Sequence, residues 1–164
     1  MPAWALTLAY WLHMAATVAW IGGLFFQAAV LAPVLTSSLS SADRVAVLES
    51  LRRRFEPLAW LSLTVLVATG LIQMSANPNY QGFLAITNRW ALAILVKHVA
   101  VALMVILAAY QTWVVHPRLA RQAWQQARGI ESTEASPGSL VPLARLNLVL
   151  GLIVLALTAF ARAA

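Results

Sequence analysis

Three histidines, a single lysine and a few methionines are the residues of this chain whose chemistry packing alone explains poorly. His13 and His98 each interrupt a long apolar run, where an ionisable side chain is costly and by default marks a functional position. His13 precedes Pro33 by 20 residues and His98 precedes Pro117 by 19. At a rise of 1.5 Å per residue, both lie about 13–15 Å below the surface from which their helices start. The spacing therefore predicts two imidazoles at matched depth on parallel helices, in equivalent positions of two halves. Such a pair suits axial ligation of a b-type haem, or a copper site. Ala16 and Ala102 would leave room beside the rings. Taken singly, each ring is equally explained as a neutral imidazole bonded to a helix carbonyl or to Thr17.

Lys97, beside His98, lies well inside the third apolar run, and no Asp or Glu falls in the outer half of any run to pair with it. It either snorkels to the headgroups or meets an anionic ligand. A haem propionate would serve, with Arg89 nearer the surface as a second cation. A bare copper ion would be repelled. Met14, Met74 and Met104 are soft donors for copper, Met14 adjoining His13, although methionine in an apolar helix usually packs. Trp20, two turns beyond His13, lines the same pocket or packs. His116, ahead of Pro117, is expected to meet lipid headgroups, and Gly22-Gly23 and Gly70 to permit close helix approach.

These residues are carried by four runs long enough to cross a bilayer, which takes about 20 apolar residues. They cover about 4–35, 57–74, 88–115 and 142–160, with Pro33 punctuating the first and Pro117 stopping the third. Of the 164 residues 62% are hydrophobic and 10% charged, against about a quarter charged in a soluble domain. The fold expected is an all-α integral membrane four-helix bundle, one domain over 1–164, with the lipid bilayer as its main partner. The N-terminal run lacks a basic leader and is too long for a cleaved signal, so it is expected to remain. There is no cysteine, which excludes disulfides, thiolate metal sites and cysteine nucleophiles.

The net charge of +6 does not imply nucleic acid, because ten of the eleven basic residues are arginines and most of these sit between apolar runs. Loop one holds Arg44, Arg52, Arg53 and Arg54, and loop three holds Arg118, Arg121 and Arg128, with Arg145 just beyond. The positive-inside rule makes these loops cytoplasmic and puts both termini outside a bacterial-type plasma membrane. Asp43 or Ser41 could cap a short surface helix through Arg54. Asn77 to Gly82 reads as a turn, and Glu131 to Ser139 as a flexible loop. Pro57-Leu58-Ala59-Trp60-Leu61 is matched by Pro142-Leu143-Ala144-Arg145-Leu146, and Ala32-Pro33-Val34-Leu35 by His116-Pro117-Arg118-Leu119. The halves thus read as two parallel two-helix repeats about an axis along the membrane normal.

The stretch from His13 through Trp20-Ile21-Gly22-Gly23 resembles the opening helix of the copper-resistance D (CopD) family of membrane proteins. Arg54-Phe55, Thr69-Gly70, Lys97, Asn147 and Gly151 extend the likeness to all four helices. That resemblance implies a role in copper uptake or resistance. The arrangement is also similar to bacterial four-helix protoporphyrinogen oxidases, haem-binding oxidoreductases in which a first-helix His (here His13) and a third-helix Lys (here Lys97) form the functional pair. Phe25-Phe26-Gln27 stands where that group has Tyr-Leu-Pro-Arg, and no acid follows Asn147.

The leading expectation is a haem protein for electron transfer or haem handling near the outer face, His13 and His98 ligating the iron and Lys97 and Arg89 near the propionates. The second is a copper protein using His13, His98 and Met14. The third is a cofactor-free accessory subunit packing as a homodimer or within a larger membrane redox complex.

Overall fold

Long apolar segments without charge fold as helices in a membrane because lipid offers no hydrogen-bond partner to the backbone. The computed structural model, which describes residues 2–37, 39–82, 89–129 and 140–163, is built from helices with no strand among the described residues. Four stretches are long and apolar enough to cross a bilayer: Ala3–Leu35, Ala46–Ser75, Arg89–Gln126 and Val141–Ala161. The all-α four-helix membrane fold expected from composition is therefore present. Large apolar side chains such as Trp11, Val18, Leu61, Val99, Ile106 and Trp113 cover its outside, a surface suited to lipid and not to water.

Two helix pairs make the bundle. Helix α1 (Ala3–Phe26), continued beyond a π turn by α2 (Ala32–Ser37), packs along α3 (Ser41–Ser75), and α4 (Arg89–Tyr110) along α6 (Leu140–Ala163). The pairs meet where α1 touches α6 and where α5 (His116–Ala127) touches α3. One end of the bundle carries the chain termini and the Asn77–Gly82 turn. The other carries the arginines of α3 and α5, and is called the arginine end below.

The helices run further than the prolines suggest. Pro117 does not end the third helix: α4 passes through Gln111–Val115 into α5 as one rod. Pro57 lies inside α3, which joins the expected surface helix to the second span. Its cap is neither Asp43 nor Ser41 but Ser40, whose hydroxyl accepts the Asp43 N–H at 3.2 Å. The Glu131–Ser139 loop lies outside the described residues.

Pro33 and Pro117 instead reshape their helices. A helical proline lacks the N–H that its fourth predecessor's carbonyl would accept, and its ring crowds that carbonyl. The crowded residues are Ala29 and Trp113, and each lies at the centre of a five-residue π turn, Gln27–Leu31 or Gln111–Val115. In both, the next residue closes an i→i+5 bond, Ala32 N–H to the Gln27 carbonyl and His116 N–H to the Gln111 carbonyl. Proline and a local widening of the ladder go together in long helices.

The two π turns lie 84 positions apart, and burial repeats in the same register. Ala9, Ala16, Trp20 and Leu35 are buried, and so are Ala93, Ala100, Met104 and Leu119. The repeat read from the sequence is thus visible in the packing.

Close packing between the pairs relies on glycine. A Cβ at Gly151 would stand 2.7 Å from Ile21 Cδ1 and 3.4 Å from Met104 Cε, whereas one at Gly23 would meet nothing within 4 Å. Gly151→Val should therefore lower stability by about 1–3 kcal/mol through overpacking. Gly23→Ala should leave the thermal midpoint in detergent nearly unchanged, and a scan of both variants checks the contrast.

Candidate functional site

His13 is held by α3. Its Nδ1 lies 2.9 Å from Thr69 Oγ1, and its Cε1 sits 3.4 Å from where a Gly70 Cβ would be. The Thr69 hydroxyl donates to the Val65 carbonyl, so its oxygen is left to accept from the imidazole. Nδ1 therefore carries the proton in the neutral ring, and the lone pair is on Nε2. Thr17 fastens the same turn of α1 by donating to the His13 carbonyl at 2.7 Å. One turn away, Gln73 Nε2 donates to the Ala9 carbonyl at 3.2 Å. The ring is thus fixed in rotamer and tautomer by a neighbouring helix.

The partners expected for His13 are rearranged. In the register shared by the π turns and the buried alanines, the position equivalent to His13 is Lys97, not His98. One residue is about 100° around a helix, so His98 points in a different direction from its supposed counterpart. Its Nδ1 donates to the Ile94 carbonyl of its own helix at 2.7 Å, the bland arrangement for a membrane histidine. The equal depth of the two rings does not carry equal facing. Lys97 is half-buried on α4.

Met14 is 57% exposed on the outside of α1 and so turns away from the bundle interior. Met74 is buried instead, four residues beyond Gly70 and hence on the α3 face that holds His13. Arg89 is exposed at the start of α4. Trp20 leaves the His13 region altogether and packs with Leu24, Leu63 and Met104. No cluster of three or more His, Asp or Glu able to hold a metal occurs among the described residues.

A second polar region lies towards the arginine end. A cavity of about 460 Å³ opens between α1, α3, α5 and α6, bordered by both π turns. Trp20, Phe26, Phe55 and Trp60 line it, as do Gly22 and Gly23, where a side chain would enter open space. His116 does not turn to headgroups. Its Nδ1 lies 3.3 Å from Glu56 Oε1 across the α3–α5 contact, both half-buried at the cavity wall. Asn147 is fully buried at the wall, and neither its Nδ2 nor its Oδ1 has a partner among the described residues. Gln111 is buried there too.

Reasoning from the sequence missed this region. The available signals were an asparagine within an apolar run and two glutamines, Gln27 and Gln111, at the repeat spacing.

The family model for copper resistance protein D (CopD) matches residues 49–161. This chain belongs to the CopD family. The match spans the second, third and fourth membrane helices and most of the cavity, while His13 and the first helix lie outside it. No curated protein and no solved structure matches the chain, and nothing in these comparisons supports a relation to the protoporphyrinogen oxidases.

The His13 tautomer is open to direct measurement. Solid-state ¹⁵N spectra should show a neutral ring protonated at Nδ1. Thr69→Ser should keep that signature, and Thr69→Val should lose it.

Proposed function

We propose that this CopD-family chain passes copper ions through the membrane, with His13 as the ligand that takes the ion in the half nearer the termini. The observation that carries the reading is the His13–Thr69 hydrogen bond, which presents one imidazole nitrogen as a lone-pair donor. An outer hydrogen bond that fixes a ligating histidine is the usual support of a metal site, and its loss typically costs 10–100-fold in affinity. Met74 supplies a soft thioether on the same α3 face, and imidazole with thioether suits copper, above all Cu(I). Family membership supports copper as the ion. The arginine distribution supports placing the termini outside, so that His13 meets copper arriving from there.

Lys97 gives this reading its direction. A fixed positive charge beside a metal-binding imidazole weakens cation binding by Coulomb repulsion. Weak binding suits a step on a path, where the ion must leave again, better than a store. A b-type haem on His13 and His98 draws no support from the family match, and in the register of the π turns His13 corresponds to Lys97.

Anaerobic titration with Cu(I), read by thermal unfolding, tests the proposal. An ion bound only by the folded state stabilises it by about 2.7 kcal/mol at a hundredfold excess over Kd. The wild type should be stabilised, His13→Ala should not, and Met74→Leu should bind more weakly. A His13→Ala variant that responds to copper like the wild type would remove His13 from the path. A sharp reduced-minus-oxidised band lost in both His13→Ala and His98→Ala would favour haem instead.

Lys97→Gln should tighten copper binding by about tenfold, the effect of removing on the order of 1.4 kcal/mol of repulsion. Competition with a Cu(I) chelator measures it.

A further inference from the structure

The cavity near the arginine end has a chemistry that the copper reading leaves unused. Its walls are largely apolar and aromatic, which is poor for a metal ion and good for a flat organic ring. Asn147 is fully buried there with both amide atoms unpartnered among the described residues. Burying an amide without partners costs free energy, so a bound group that pairs with it is favoured. Nδ2 offers a donor and Oδ1 an acceptor, and together they match a ring bearing a carbonyl or a hydroxyl. The half-buried His116–Glu56 pair stands on the same wall, able to hydrogen-bond a second ring oxygen.

The backbone leaves the space open. Both π turns border the cavity, and single π turns in α-helices are frequent at functional sites. Gly22 and Gly23 face it with no atom within 4 Å of a Cβ position. At about 460 Å³ the volume lies in the range of small-molecule and cofactor sites, roughly 300–1,000 Å³. Because the cavity lies within a membrane-spanning bundle, its natural ligands are those dissolved in the bilayer.

We propose that this cavity binds the head group of a membrane quinone or quinol, with the Asn147 amide pairing a ring oxygen and Trp20, Trp60 and Phe55 enclosing the ring. The site is separate from His13 and stands whether or not the chain carries copper. The proposal concerns binding and assigns no electron transfer.

The test uses the full chain in lipid nanodiscs, titrated with decylubiquinone and read by thermal unfolding and by tryptophan quenching. A saturable response is expected in the wild type. Gly23→Leu fills the cavity from the side where nothing clashes, and should weaken the response at least about tenfold while leaving copper-dependent stabilisation intact. Asn147→Leu should weaken it similarly, and should raise the midpoint of the quinone-free protein because a buried unpaired amide is gone. If Asn147→Leu fails to fold, Gly23→Leu still decides the matter. No saturable response in the wild type, or the same response in Gly23→Leu, would overturn the proposal and leave the cavity to water or lipid.

Discussion

A carbonyl that loses its helical donor inside a bilayer has no water to turn to, and this constraint shapes the molecule. Pro33 and Pro117 each remove such a donor. The chain answers at both places with the same π turn, closed by the next N–H onto the glutamine carbonyl that opens the turn. The helices continue beyond the prolines, and the local widening shifts the phase of everything after it. Beyond the second π turn α5 packs on α3, and His116 meets Glu56 there. The cavity lies where the two widened turns approach the middle of the bundle.

The same scarcity of partners explains the state of His13. An imidazole in this setting must spend its N–H on an acceptor nearby, and Thr69 supplies one because its own hydroxyl proton is committed to Val65. The ring lies against α3 beside Gly70, where a Cβ would stand 3.4 Å from its Cε1. A threonine and a glycine in sequence thus determine which nitrogen of a histidine on another helix is free. Asn147 shows the opposite outcome, a buried amide without a partner among the described residues.

The two halves of the bundle share a backbone plan and differ in their side chains. Ala9, Ala16 and Leu35 are repeated in burial by Ala93, Ala100 and Leu119. At several polar positions the halves diverge: Lys97 stands for His13 and His116 for Ala32 at the spacing of the π turns, and Asn147 for Ser62 at the spacing of Pro57 and Pro142. A repeat preserves packing because close contacts between helices tolerate little change in volume. Positions lining open space are released from that demand, and the two halves can there acquire different chemistry.

Much of this was legible in the sequence. Four apolar runs of spanning length dictated four membrane helices, since lipid admits few other backbones. The arginine clusters and the likeness of the two halves could be read directly, as could the placing of His13 and Lys97 inside apolar runs, where an ionisable group is costly. The tertiary structure decided what depends on rotation about the helix axis. Two residues at equal depth can face each other or face apart, and a one-residue offset in register turns a side chain by about 100°. That rotation put Lys97 where His98 was expected and sent Met14 to the lipid and Met74 inward. It also turned Trp20 towards the cavity and buried Asn147 at its wall.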